Sequence, residues 1–310
     1  MNVISVVGPT AAGKSDLAVD LALRLGGEAV NTDSMQLYRG MDIGTAKLTV
    51  AERRGVPHHL LDVWDVTEPA SVAEYQRRAH EVIAEVRGRG RVPVLVGGSG
   101  LYVRAALDDL DFPGTDPGIR ARLEAELAEQ GSGALFARLK EADPEAAQAI
   151  LPSNGRRIVR ALEVIELTGR PFTASLPQHR YRDPETVQLG LLVPRPELDE
   201  RIALRVDRMW EAGFVAEVAA LEEAGLRAGR TASAALGYAQ VLRFLAGEWS
   251  EEQAREETVR ATRRFARRQE SWFRRDARIH WLPYDAPDLL ERALDRCGSG
   301  SGAPAARRLP

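Results

Sequence analysis

The chain has 310 residues, 44% hydrophobic and 28% charged, with a formal net charge of −3. That balance fits a globular protein with a sizeable core in one large domain or two, and excludes a fibrous or compositionally disordered chain. The net charge does not by itself suggest a nucleic-acid binder, but the basic residues are clustered.

The first apolar run, Val3–Val7, predicts a strand. Gly8-Pro9-Thr10-Ala11-Ala12-Gly13-Lys14-Ser15 follows it and fits the phosphate-loop pattern G-x-x-x-x-G-K-[S/T] in full. An amphipathic helix from Lys14 to Leu25 completes a strand–loop–helix setting. There, backbone N–H groups and the helix N-terminus face an anion, Lys14 adds a point charge, and Ser15 offers a hydroxyl to Mg2+. A diphosphate or polyphosphate is the expected ligand.

Further strands are predicted at Glu28–Thr32, His59–Val63 and Val92–Val96, and helices at Val72–Arg87 and Leu101–Leu107. Their alternation predicts an α/β fold, a parallel sheet with helices on both faces. Such sheets bind ligands at the carboxyl ends of their strands. The phosphate loop, the 31–39 segment and Gly97-Gly98-Ser99-Gly100 should therefore meet on one rim. Composition changes near Phe112–Pro117, and residues 118–168 carry helical periodicity broken at Gly131-Ser132-Gly133 and Pro152-Ser153-Asn154-Gly155. Residues 113–186 read as a mostly helical insertion between core segments 1–112 and 187–297. Val187–Val193 predicts a strand returning to the sheet. Helices follow at Leu198–Ala212, Val215–Ala224, Ala232–Ala246 and Glu251–Arg275, then an edge strand at Ile279–Leu282. The tail, 298–310, reads as disordered.

Asp33 follows the second strand within Asn31-Thr32-Asp33-Ser34-Met35-Gln36-Leu37-Tyr38-Arg39. A carboxylate there can partner Mg2+ indirectly, accept a proton from a nucleophile, or shape a turn. The glycines of the 97–100 segment would let backbone approach a ligand closely, with Ser99 capping the next helix or bonding a phosphate oxygen. Arg156, Arg157, Arg160, Arg170, Arg180 and Arg182 form one basic cluster, and Arg156 and Arg160 share a helix face. From Arg260 to Arg278, eight arginines stand against two acids, with Phe265, Trp272 and Phe273 interleaved. Arg260, Arg264, Arg268 and Arg275 form a stripe suited to a phosphate backbone. The alternative is a solvated surface helix whose aromatics enter the core. His58 and His59 lack the partners of a metal site and stay unassigned. The lone Cys297 excludes an internal disulfide, reads as an inert helix residue and fits a reducing compartment. A loop starting at residue 8 leaves no room for a secretory leader, and no run reaches the ~18 apolar residues of a membrane span. A cytoplasmic location is expected.

Taken together, several segments resemble the bacterial tRNA dimethylallyltransferases, also called tRNA isopentenyltransferases. They are GPTAAGKS at 8–15, NTDSMQLYRGMDIGTAK at 31–47, VPHHLLDV at 56–63, VLVGGSGLY at 94–102, RRIVRALEV at 156–164, RMWEAGFVAEV at 208–218, LGYAQ at 236–240 and TRRFARRQESWFR at 262–274. The resemblance implies a P-loop NTPase-like core with an inserted helical, tRNA-contacting domain. It implies transfer of a dimethylallyl group from dimethylallyl diphosphate to N6 of the adenosine 3′ of the anticodon, with Mg2+ as cofactor and no membrane. By position it makes Asp33 the general base and Lys14 and Ser99 its catalytic companions. Gly8, Pro9, Thr10, Ala11, Ala12, Gly13, Lys14, Ser15 and Arg205 would hold the diphosphate. Asp33, Ser34, Met35, Gln36, Ser99, Arg120, Arg156, Arg157, Ile158, Val159, Arg160, Arg264 and Arg268 would meet the tRNA anticodon stem-loop. Ser99 stands where the family usually has Thr, which keeps the hydroxyl. Ala234 and Ala235 stand where some relatives carry Arg, so no tRNA contact carries over there. A monomer is expected. A nucleotide or small-molecule kinase on the same phosphate loop stays as the alternative, and ATP binding at the loop stays open.

Overall fold

The computed structural model describes residues 2–172 and 179–298. Its strands are β1 (Ile4–Val7), β2 (Gly27–Asn31), β3 (His58–His59), β4 (Val92–Val96), β5 (Val187–Leu192) and β6 (Ile279–Pro283). They form one sheet in the order β3-β2-β4-β1-β5-β6, and every pairing is parallel. The helices are α1 (Lys14–Leu25), α2 (Val72–Gly88), α3 (Gly100–Leu107), α4 (Pro117–Ala142), α5 (Pro144–Ala149), α6 (Gly155–Thr168), α7 (Arg195–Glu211), α8 (Phe214–Glu223), α9 (Tyr238–Leu245), α10 (Glu251–Phe273) and α11 (Leu289–Gly298). Among the described residues, no helix is long and apolar enough to cross a membrane.

All four residues of β1 are buried, which an unbroken apolar run achieves only when both sheet faces are covered. Ile4, Val6, Leu17, Leu21, Val94 and Leu189 belong to the resulting core. β1 lies between β4 and β5. The chain leaves β1 for β2 on one side and later fills β5 and β6 on the other. That reversal opens a crevice at the carboxyl end of β1, where the phosphate loop begins.

Several expected boundaries shift for local reasons. The third strand shortens to His58–His59, because Leu60 (φ 59°) and Asp62 (φ 57°) adopt the left-handed region that no strand uses. The helix expected from Ala232 to Ala246 divides into a 3-10 turn, Ala232–Ala234, and α9, with Gly237 at φ 83° between them. Gly131 (φ 76°, ψ 171°) kinks α4 where a full break was expected. α10 ends at Phe273, so Arg275 drops off the basic stripe. Cys297 lies in α11, where burial pushes its thiol up to about 11 and keeps it unreactive. Apart from Gly298, the tail lies outside the described residues.

The chain divides into two compact units, one of residues 1–108 and 181–310, the other Asp109–Arg180. The expected insertion, 113–186, is displaced relative to this division. Tyr181 bridges to Asp108, and the Arg182 N–H donates to Leu107 O at 2.8 Å, so residues 181–186 belong with the sheet. The smaller unit has its own core, which includes Leu123, Leu135, Leu139, Ile158 and Leu162. Beside it Glu163 is fully buried, and its carboxylate accepts from Arg120, Arg160 and the Asp116 N–H. Removing that acid leaves two guanidinium groups facing each other without a counter-charge. Glu163→Ala should destabilise this unit by about 3 kcal/mol. Hydrogen exchange of α4 and α6 amides should then quicken by roughly a hundredfold, with exchange in β1 and β4 unchanged. Unchanged protection in α6 would show that the acid is dispensable.

Candidate active site

The phosphate loop owes its shape to two left-handed residues, Ala11 (φ 63°) and Gly13 (φ 90°), which turn successive N–H groups inward ahead of α1. Ala11 holds this conformation against its own Cβ, and Arg201 secures it by donating from Nε to Ala11 O at 2.8 Å. Lys14 Nζ donates to Pro9 O at 2.6 Å, folding the side chain back over the loop. Burial first, and then the nearby Arg205 guanidinium, push the Lys14 ammonium down to about 7, while the Asp33 carboxylate acts in the opposite sense. Arg205, on α7, is likewise pushed down by burial. Its Nη1 donates to Thr10 Oγ1 at 3.3 Å and its Nη2 to Thr45 O at 3.5 Å. Two desolvated cations thus share one site, which is what an incoming anion relieves.

Asp33 is moulded by Asn31, a buried residue that sequence reasoning had passed over. Asn31 Oδ1 accepts from the Asp33 N–H at 2.8 Å, and its Nδ2 donates to Asp33 O and Leu60 O, both at 2.9 Å. Asp33 Oδ1 then accepts from the Met35 N–H at 2.9 Å, a local turn. So Asp33 shapes the chain with one carboxylate oxygen. Among the described residues the other accepts no hydrogen bond. Ser99 stands at the N-cap of α3, but its side chain makes no capping hydrogen bond. Its Oγ accepts from the Ser34 N–H and pairs with Ser34 Oγ, each at 3.1 Å, tying the β4–α3 loop to the Asp33 segment.

Two cavities meet the phosphate loop. The larger, about 690 Å³, is lined by Ala11 to Asp16, Lys47, Arg201, Arg205 and Arg208. The other, about 350 Å³, brings Thr10, Asp33, Ser34, Met35, Ser99 and Arg205 to one chamber. Its remaining wall includes Ile202, Val206, Met209, Leu236, Phe265 and Arg268. Arg205 and Met209 line both. The apolar wall comes from α7, the 231–237 turn and α10, separated too far in sequence to be read as one surface.

The glycines of the 97–100 segment do not admit a ligand. A Cβ on Gly98 would lie 2.2 Å from Gln269 Nε2, and one on Gly100 would lie 2.1 Å from the Trp272 indole nitrogen. They admit α10. On that helix Phe265 and Trp272 stay partly exposed while Phe273 enters the core. The Arg268 guanidinium sits 5.6 Å above the Phe265 ring, Arg264 is exposed, and Arg263 donates to Asp199 O. Gln269 is also buried and was given no role in the sequence. Its spacing from Ala266 and Phe273 puts it on the inner face, where a polar residue asks for an explanation.

The Gln36 side chain is committed elsewhere: its Nε2 donates to Thr45 O at 3.1 Å and Ala46 O at 3.4 Å. Lys47 is buried and paired with Asp42 at 2.5 Å and Asp62 at 2.6 Å. Glu217 accepts from the N–H groups of Asp42, Ile43 and Gly44. Much of the 31–47 motif is therefore scaffolding for the loop behind Asp33. His59 pairs with buried Glu28, and the His58 ring bonds Val56 O, so both histidines are structural. Among the described residues, no group of three or more His, Cys, Asp or Glu could hold a metal.

In the smaller unit, Ile158 and Val159 belong to the apolar core, and Arg120 and Arg160 are held by Glu163. Ile158 and Val159 are thus buried, whereas Arg120 and Arg160 are ion-paired and only partly exposed. Arg156 and Arg157 are exposed.

Folding takes Lys14 from an ordinary 10.5 to about 7, so the folded state disfavours its ammonium form. The penalty is full below pH 7, fades between pH 7 and 10.5, and is absent above that range. Lys14→Met removes it. The variant's thermal midpoint should exceed the wild type's at pH 6, and the gap should close by about pH 10. A gap independent of pH would sink the desolvation account.

A family model described as IPP transferase matches residues 36–276. The tRNA dimethylallyltransferase of Thermobifida fusca (strain YX) is 76% identical over 297 residues, covering 94% of this chain and 93% of that one. The full-length tRNA isopentenylpyrophosphate transferase from Bacillus halodurans superposes with a TM-score of 0.69 at 41% identity, covering 96% of this chain and 94% of that chain. A eukaryotic dimethylallyltransferase, captured in crystallographic snapshots acting on tRNA, superposes with a TM-score of 0.80 at 25% identity, covering 96% of this chain and 77% of that chain. A family model over most of the chain and relatives of this identity and coverage show that this chain belongs to the bacterial tRNA isopentenyltransferase (IPP transferase) family.

Proposed function

We propose that this protein transfers a dimethylallyl group from dimethylallyl diphosphate to N6 of the adenosine 3′ of the anticodon in tRNA, releasing pyrophosphate. One observation carries this reading: a single chamber joins Asp33 to Thr10 and Arg205 against an apolar wall, directly behind the phosphate loop. A diphosphate bound across Lys14, Thr10 and Arg205 would satisfy both desolvated cations. The five-carbon chain would lie along Ile202, Val206 and Met209, shielded from water.

N6 then attacks C1. The C1–O bond breaks, its electron pair goes to the diphosphate, and the N6 proton goes to Asp33. The exocyclic amine of adenine is a poor nucleophile, so most of the rate must come from stabilising the leaving group and placing the base. The target adenine has to leave its stack to reach the chamber. Ser15 shares a wall with Lys14 and offers one hydroxyl, a donor set suited to a Mg2+ whose other ligands are phosphate oxygens and water. Ser15 would hold that ion, which supplies neutralising charge at the diphosphate. The RNA backbone would run along the exposed Arg264 and the chamber-lining Arg268, with Arg156 and Arg157 offering contacts from the smaller unit. The enzyme would act as a cytoplasmic monomer.

The test is incubation with unmodified tRNA, dimethylallyl diphosphate and Mg2+, followed by mass spectrometry of digested nucleosides. A dimethylallyl mass increase on adenosine is expected. No increase, with phosphate transfer from ATP to an acceptor instead, would mean a kinase. Asp33→Asn should lower kcat by about 10²–10⁴-fold with tRNA affinity nearly unchanged, read by single-turnover kinetics and filter binding. Arg264→Gln with Arg268→Gln should weaken tRNA binding and flatten the slope of log K against log salt by about 2. An unchanged slope would return α10 to an ordinary solvated helix.

A further inference from the structure

Between the phosphate loop and the β4–α3 loop lies one buried amide. Gln269 is 5% exposed. Its Oε1 accepts from the Thr10 N–H at 2.9 Å, and its Nε2 donates to Gly98 O at 3.0 Å. Both ends of the side chain are therefore fixed, one to each loop. Thr10 in turn accepts from Arg205, the cation of the chamber. Gly98 precedes Ser99, whose hydroxyl holds Ser34 beside Asp33. The phosphate side and the base side of the chamber are thus bridged by one buried amide that does not line the chamber.

The chemistry of that amide is specific. A loop N–H needs an acceptor and a loop carbonyl needs a donor, and a primary amide supplies both across one short span. Thr10 is also the phosphate-loop residue whose N–H is taken by a side chain instead of being left for the anion. The missing side chain of Gly98 is what lets the amide in, at 2.2 Å from where a Cβ would be. Its neighbour on α10, Arg268, lines the chamber.

Resting on the proposed transfer reaction, we infer that Gln269 is a positioning residue. It sets the separation between Asp33 and the diphosphate-binding pair Thr10 and Arg205, and acts on the reaction only through those two loops. Errors of about 1 Å in such a separation reduce rates by about a hundredfold without touching substrate affinity in proportion.

The experiment compares Gln269→Met with Gln269→Glu. The methionine fills similar space and loses both hydrogen bonds. It should lower kcat at least tenfold while the KM for tRNA stays within twofold. The glutamate keeps the acceptor for Thr10 but opposes Gly98 O with a second acceptor at pH 8. Burial opposite the Gly98 carbonyl pushes the introduced carboxyl well above the usual carboxylate range, and its protonated form regains the donor. The ratio of its kcat to that of the wild type should therefore rise at least fivefold from pH 8 to pH 6, a recovery that a merely structural role would not produce. A Gln269→Met kcat within threefold of wild type would overturn the assignment, as would a ratio for Gln269→Glu that stays flat while its carboxyl, followed by carbon-13 NMR, changes protonation over that range. Should Gln269→Met fail to fold, the Gln269→Glu profile decides alone. A parallel calorimetric titration with inorganic pyrophosphate and Mg2+ separates this inference from the function on which it rests. If the wild type makes no dimethylallyl adenosine, the function fails. The positioning role then stands if Gln269→Glu binds pyrophosphate at least fivefold more weakly than wild type at pH 8 and recovers at pH 6, and falls if the affinities are equal.

Discussion

Two cations that repel each other, Lys14 and Arg205, are held desolvated around one phosphate loop, and the rest of the fold serves to keep them there. Burial depresses both, and Asp33 alone opposes the effect among the groups that matter. Such an arrangement would relax if its supports could move. An anion placed between the two would relieve the penalty, which is the physical basis of the proposed diphosphate site. The strained backbone of Ala11 belongs to the same economy of shape.

The supports are unusually many and mostly polar. Asn31 moulds the Asp33 turn, Glu217 gathers three successive N–H groups of the 42–44 loop, and Lys47 pins Asp42 to Asp62. Lys47 and Asn31 are buried, while the Asp42 and Asp62 carboxylates that Lys47 holds stay partly open to solvent. Their shared consequence is that the long excursion between β2 and β3 is tied down by side-chain hydrogen bonds and ion pairs, although it has little regular structure. The helices α7 and α10 close the chamber from the other side, one supplying Arg205 and the other Gln269.

Much of this was legible along the chain. The phosphate loop, the alternation of strands and helices and the helical region after residue 112 all follow from local pattern, whereas Asp33 was singled out as a base only by the family resemblance. Each depends on spacing of a few residues and on backbone preferences that act over that range. The third strand was overestimated because Leu60 and Asp62 adopt a left-handed backbone with no glycine to announce it. The glycines of the 97–100 segment were assigned to a ligand because nothing in the sequence says that α10 arrives there. Arg120 and Arg160 looked like open cations because the acid that binds them is buried by packing.

By itself, then, the sequence determined the phosphate-loop motif, the sheet class and the family resemblance, since these reside in contiguous motifs and in periodicity. Only the tertiary structure decided that Asp33 and Arg205 share one chamber, that its wall is largely apolar, and that Gln269 spans two loops lying 259 and 171 residues from it along the chain. The physical reason is that burial and electrostatic coupling depend on distance in space. Residues 10, 98 and 269 become neighbours only when the parallel sheet brings its loops to one edge and α10 packs across them.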